Sequence, residues 1–298
     1  MPLRTSTATR QKIAVILSCD YSGRNKLHGC VNDGNDIKKF LVNERGFKAS
    51  NVTTVYNSEM TAKGIWTALK TLVDQSHAIA ELGQIPTMFL YYSGHGLLVP
   101  NNSPSDEDNA DSAIVPWDHE RSGFIIDDQL YKRFITKIHP TTELFIFPDC
   151  CYSGSNFDLK YRAITERADV AKLETRIIQL SGCRDDQTSA EIGGHGLATS
   201  AFLRLMRRVH NPYSLKQFKR DIGDVSTPGH PQHPQVSFSR ADMRGTDLFD
   251  WIVENVGGVQ ESPKMIKKMA RKCVRQKFGK RFGIAMKYLF GQTECLVE

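Results

Sequence analysis

No run of about 18 apolar residues occurs in this 298-residue sequence, so no segment has the character of a membrane-crossing helix. An apolar signal region is missing as well, because MPLRTSTATRQK leads straight into a strand-like segment. The seven cysteines (Cys19, Cys30, Cys150, Cys151, Cys183, Cys273, Cys295) are odd in number and lack metal-ligand C-x-x-C spacing. That favours reduced thiols over a disulfide framework, and a cytoplasmic protein is expected. Internal repeats and an EF-hand loop are absent too. One further absence is local. From Lys264 to Phe290 there are ten Lys and Arg and no acid, and since the chain carries +6, everything outside that stretch carries −4.

What is present begins with two apolar runs that stop abruptly in reactive residues. Leu144 to Ser155, LFIFPDCCYSGS, ends in an acid, two thiols and a small-residue turn, and Thr87 to Gly96, TMFLYYSGHG, ends in Ser-Gly-His-Gly. Each reads as a buried parallel strand delivering side chains at its C-terminal end, where ligands of open α/β sheets gather. The pairing suits thiol chemistry. A cysteine is mostly protonated at neutral pH, and a neighbouring imidazole such as His95 can take its proton.

The other segments supply a scaffold. Residues 11–19 form a first strand, HGCVNDGNDIKKFLVNERGF a helix stopped by Gly46, residues 51–56 a second strand, and residues 61–82 a helix through Ile65, Leu69, Leu72 and Ile79. Strand, helix, strand, helix, strand implies a parallel sheet. After Gly96 a polar, acidic loop (NNSPSDEDNADSA) is expected, then a short extended piece at Ile114 to Trp117. Asp127-Asp128 opens an amphipathic helix running through Leu130, Phe134, Ile135 and Ile138. Beyond the charged linker NFDLKYRAITERADVAKLE come the strand TRIIQLSGC, helices at 197–209 and 213–222, and a last strand PQVSFS.

Neighbours on a strand point to opposite faces, so only one of Cys150 and Cys151 can serve as nucleophile. Taken alone, such a pair is more often core filling. Asp149 shares its side with Cys151, and a carboxylate there is costly unless solvated or paired, which suits a pocket for a cation. For Asp33 and for Asp127-Asp128 the plain reading is acids favouring a helix N-terminus. His119, His195, His230 and His233 read as surface or structural residues.

From Gly29 to about Ser239 the chain resembles the metacaspases, caspase-like cysteine peptidases, through HGCVND, YYSGHG, DSAIVPWD with GFIIDD, DCCYSGS, and SGCRDDQTSAE with GGHG, all in the family order. The resemblance implies an α/β caspase-like fold: a mostly parallel six-stranded sheet with helices on both faces. A larger part (1–155) would carry His and Cys, a linker (156–176) would be a self-cleavage region, a smaller part (177–255) would follow, and a basic, helical tail (256–298) would close the chain. It implies a cysteine endopeptidase with Cys151 as nucleophile, His95 as general base and then acid, and backbone N–H groups at Cys151 and near Gly96 facing the oxyanion. Tyr152 stands where the pattern usually has His. The resemblance further implies an acidic pocket for Arg or Lys lined by Cys30, Asp33, Ser93 and Asp149. It also implies activation by calcium held by Asp111, Asp127, Asp128 and Asp158. A monomer acting on proteins or peptides is expected. Two other readings are a catalytically silent caspase-like binding or scaffold protein, and a protein that binds nucleic acid or membrane through residues 264–290.

Overall fold

The computed structural model describes residues 9–100, 110–153, 157, 159–162, 173–183, 193–223, 225–226 and 232–256. Residues Met1–Gly257 pack as one compact unit, and Gly258–Glu298 form a second. The basic stretch 264–290 therefore lies outside the described residues, as do the acidic loop 101–109 and linker residues 163–172. In chain order the elements are β1 (Arg10–Ser18), α1 (Cys30–Glu44), β2 (Val52–Tyr56), α2 (Ala62–Glu81), β3 (Ile85–Ser93), β4 (Gly96–Pro100), β5 (Ala110–Ile114), α3 (His119–Ser122), β6 (Ile125–Ile126) and α4 (Asp127–Arg133). There follow β7 (Glu143–Asp149), β8 (Tyr161–Arg162), β9 (Arg176–Ser181), α5 (Leu197–Met206), α6 (Leu215–Ile222), β10 (Gln235–Phe238) and α7 (Asp250–Val253).

The main sheet runs β2-β1-β3-β7-β9-β10-β8. β2, β1, β3, β7 and β9 are mutually parallel, and β10 is antiparallel to β9. This is the expected mostly parallel six-stranded sheet, extended at one edge by the two-residue β8. Strand alternation sorts its side chains onto two cores. Ala14, Ile16, Phe89, Tyr91, Phe145, Phe147, Ile178 and Leu180 face α1, α5, α6 and α7, while Val15, Leu17, Met88, Leu90, Leu144, Ile146 and Ile177 face α2 and α4. Helices thus cover both faces, which accounts for the continuous apolar runs in the sequence.

Two segments differ from the sequence expectation. Residues 110–113, expected as the end of the acidic loop, belong instead to β5, which pairs with β4 (GLLVP) on one side and β6 on the other in a small antiparallel sheet. The helix expected through Ile138 stops at Arg133, where Phe134 takes φ −124°, and a 3₁₀ turn at Ile135–Lys137 completes it. Phe134 and Ile135 are fully buried, so packing sets the break. Arg45, also fully buried, ties distant segments together: its Nη2 donates to Met206 O at 2.6 Å and its Nε to Ile252 O at 2.6 Å, with the guanidinium 4.3 Å from the centre of the Phe40 ring.

Candidate active site

The parallel pairing of β3 with β7 sets Ser93 opposite Asp149, and on its other side Ser93 lies opposite Ser18 of β1. His95 and Cys151 each follow two residues after that registered pair, so they leave the sheet from adjacent strand ends. Their loops then close on one another. A Cβ at position 96 would collide with the carbonyl of Cys151 and lie 3.0 Å from the Cys150 thiol, so only glycine permits this approach. Cys150 is 1% exposed within the α2-side core, whereas Cys151 is half-buried. The difference in burial between the two thiols is what strand alternation read from the sequence leads one to expect.

His95 is held at its backbone and its ring. Its Nε2 lies 2.6 Å from Asn25 O, and because a carbonyl only accepts, Nε2 carries the hydrogen and Nδ1 is left as the basic nitrogen. Its N–H donates to the Tyr21 hydroxyl at 3.1 Å, which in turn donates to Val115 O at 2.6 Å. The Tyr92 hydroxyl donates to His95 O at 2.6 Å, and the Tyr21 ring centre lies 4.6 Å from the imidazole. Tyr21 adopts φ +53°, an uncommon conformation for a side chain of this size. Burial pushes both phenols well above their usual range, so they stay neutral hydrogen-bonding groups. Sequence reasoning missed Tyr21, Asn25 and Tyr92.

The two pocket acids converge from different elements on Gly196, at the N-terminus of α5. Asp33, in the first turn of α1, accepts the Gly196 N–H through Oδ2 at 2.7 Å and faces His195 Nδ1 through Oδ1 at 3.0 Å. Asp149 Oδ2 accepts both the N–H and the hydroxyl of Thr199, at 3.1 and 2.6 Å. A Cβ on Gly196 would lie 2.6 Å from Asp149 Oδ2 and 2.9 Å from Asp33 Oδ2. Each carboxylate is nearly buried (Asp33 2%, Asp149 5% exposed) and complements the positive end of the helix. Burial and then these two charges drive the Tyr91 phenol far up, and its hydroxyl lies 2.7 Å from Thr199 Oγ1. Cys30 and Ser93 are buried beside these elements. His195, read from the sequence as a surface or structural residue, is partly exposed and faces Asp33 through Nδ1.

Three of the four expected calcium ligands, Asp111, Asp127 and Asp128, lie among the described residues. Asp127 is buried and satisfied by backbone, accepting Ser112 N–H at Oδ2 and Asp128 N–H at Oδ1, both at 2.9 Å. Asp128 Oδ2 lies 2.6 Å from Lys132 Nζ on the exposed side of α4. Asp111 adjoins Ser112 on β5, and Asp158 lies outside the described residues. Among the described residues no group of three or more His, Cys, Asp or Glu could hold a metal ion. The residue types are the hard oxygen donors that calcium takes, and the Ser112–Asp127 bond keeps the segments of Asp111 and Asp127 together.

Comparison with known proteins adds a family. The description "Metacaspase, peptidase C14 domain" matches residues 12–160, half of the chain. Metacaspase-1 of Yarrowia lipolytica is 25% identical over 290 aligned positions, covering 78% of this chain and 63% of that protein, so the chain spans less than two thirds of that relative's length. Metacaspase-1 of Schizosaccharomyces pombe is 24% identical, covering 78% of this chain and 68% of its own. A Geobacter sulfurreducens protein of known crystal structure shares the fold with a TM-score of 0.59 and 22% identity, covering 80% of this chain and 97% of that one.

Proposed function

The chain belongs to the metacaspase family, and on that footing we propose that it is a cysteine endopeptidase that cleaves after Arg or Lys, with Cys151 as nucleophile and His95 as its base. The observation that carries this reading is the Ser93–Asp149 register, from which His95 and Cys151 emerge on neighbouring strands, one thiol exposed enough to react and the other sealed in the core. With its hydrogen on Nε2, His95 offers Nδ1 to the thiol proton. The thiolate attacks the scissile carbonyl, and N–H groups at Cys151 and near Gly96 receive the oxyanion. His95 returns the proton to the leaving amine as the tetrahedral intermediate collapses, which breaks the C–N bond and leaves the acyl group on Cys151 as a thioester. Water, deprotonated by His95, then releases the acyl group and restores the thiol.

Specificity for basic residues is supported by two carboxylates brought within reach of one point, Gly196, which suits the planar fork of a guanidinium. Calcium activation belongs to the same proposal, with Asp111, Asp127, Asp128 and Asp158 as ligands. When bound, calcium would supply a divalent charge with flexible oxygen coordination, and Asp128, whose Oδ2 lies 2.6 Å from Lys132 Nζ, would contribute a carboxylate oxygen. Self-cleavage is proposed between Asn156 and Arg176, where Lys160, Arg162, Arg167, Lys172 and Arg176 offer basic sites. The test is peptide hydrolysis by single variants. Cys151→Ala and His95→Ala abolish it while Cys150→Ala keeps most of it, and the reverse for the two cysteines would contradict the assignment.

A further inference from the structure

β9 carries polar side chains where a central buried strand is expected to be apolar. Between Ile177, Ile178 and Leu180, which fill the two cores, Gln179 and Ser181 are 1% and 0% exposed, and Cys183 follows with 0%. Positions 179, 181 and 183 share one side of the strand and its continuation. All three reach the same short stretch of chain. Ser181 Oγ donates to Ser153 O at 2.8 Å and Gln179 Nε2 to the same oxygen at 3.1 Å, with Gln179 Nε2 also 2.7 Å from Ser181 Oγ. The Cys183 thiol donates to Cys150 O at 3.2 Å, and the backbone N–H of Cys183 donates to Ser153 Oγ at 3.4 Å. Burial pushes the Cys183 thiol up to about 11, so it stays a protonated donor at neutral pH.

Between those anchored carbonyls lie only Cys151 and Tyr152, and Tyr152 adopts φ +53°. A side chain of that size is held in the left-handed region only where its surroundings over-determine it. The Gln179 amide meets this demand with its donor end, while among the described residues its Oε1 has no partner. Such a buried polar cost, spent on one carbonyl, is poorly explained by packing alone.

We infer that Gln179, Ser181 and Cys183 are positioning residues that fix the turn bearing Cys151, so that the strand following the linker sets the direction of the thiol. The inference rests on the reading of Cys151 as nucleophile. It gives the part of the chain after residue 176 a role in the chemistry beyond the pocket, since the thiol points correctly only when β9 is paired beside β7.

The test uses the full chain and near-isosteric variants. Ser181→Val removes the hydroxyl, Ser181→Thr keeps it, and Gln179→Met removes the donor at similar length. Three quantities are read for each: kcat and KM on an Arg peptide, the rate at which iodoacetamide alkylates Cys151 without substrate, and the thermal midpoint. Ser181→Val and Gln179→Met lower kcat and the alkylation rate about tenfold or more, with KM held within about twofold. Ser181→Thr returns both rates to within about threefold of the parent. Should the larger replacements fail to fold, Cys183→Ala, the mildest change, carries the same expectation for alkylation. Parent rates in Ser181→Val, or equal losses in the Val and Thr variants, overturn the inference. Hydrolysis persisting in Cys151→Ala strikes instead at the nucleophile reading beneath it.

Discussion

Asp149 Oδ2 accepts both the N–H and the hydroxyl of Thr199, so this carboxylate caps a helix as well as contributing charge to the proposed pocket. The two roles can be separated. Asp149→Asn keeps an oxygen for Thr199 but removes the charge, and it is expected to unfold close to the parent while losing about a hundredfold or more in kcat/KM on Arg peptides. Asp149→Ala also orphans the Thr199 donors and costs about 1–3 kcal/mol, read by urea unfolding. Unchanged Arg turnover in Asp149→Asn would remove this residue from the pocket. A second expectation concerns the thiols. Burial pushes Cys19 up to about 12 and Cys183 up to about 11, and Cys150 is sealed in the core. Iodoacetamide at neutral pH is therefore expected to label Cys151 before these three, as peptide mass mapping will show, and equal labelling of Cys183 would contradict it. At this scale the sequence pointed to His95, Cys151 and Asp149 through their side-chain chemistry, whereas Asp33 read as a helix N-terminal acid and entered the proposed pocket through the resemblance alone. The sequence was silent on Asn25, whose contribution is a carbonyl, and on Tyr21 and Gln179, whose meaning arises only when distant segments meet.

α4 begins on a carboxylate that caps its own first turn and ties it to β5. Asp127 accepts N–H groups from Asp128 and from Ser112, which is 1% exposed. Asp127→Ala strands both donors and is expected to cost about 1–3 kcal/mol with chelator present. Asp128→Asn, on the exposed side, changes stability by less than about 1 kcal/mol. Urea titration of the two variants checks this, and equal effects would contradict it. The contrast matters for calcium, because lost activation in Asp127→Ala would mix cation binding with loss of a cap, whereas Asp128→Asn tests the ligand alone. Elements with a sustained period were legible: α1 and α2 by their apolar spacing, β1, β3 and β7 by continuous apolar runs. β4 was not, since LLVP is too short to declare itself and needs β5 as partner. The early stop of α4 was hidden too, because it answers to the burial of Phe134 rather than to a local breaker.

Across the whole molecule, the segments before and after the linker share one sheet. β7 and β9 pair from Glu143–Arg176 to Ile146–Gln179, Arg176 Nη1 lies 2.7 Å from Glu143 Oε1, and buried Arg45 grips carbonyls at Met206 and Ile252. A cut between Asn156 and Arg176 therefore leaves the halves associated. The fragments are expected to co-elute in native gel filtration and separate in denaturant, and the Cys151→Ala chain is expected to remain whole; fragments that part without denaturant would contradict it. The parallel sheet and its helices were legible from the alternation of strands and helices, while the joining of both halves in one six-stranded sheet followed from the family resemblance and not from the segments themselves, because it depends on which strand lies beside β7. The claim on which everything else depends is cleavage after a basic residue through Cys151. It is tested most directly by fluorogenic peptides identical except for Arg, Lys or Asp at the cleavage position, with calcium present and absent. The prediction is turnover of the Arg and Lys peptides that rises with calcium and is abolished in Cys151→Ala, with the Asp peptide left uncut. Preferential cleavage of the Asp peptide, or Arg turnover that survives in Cys151→Ala, would contradict it.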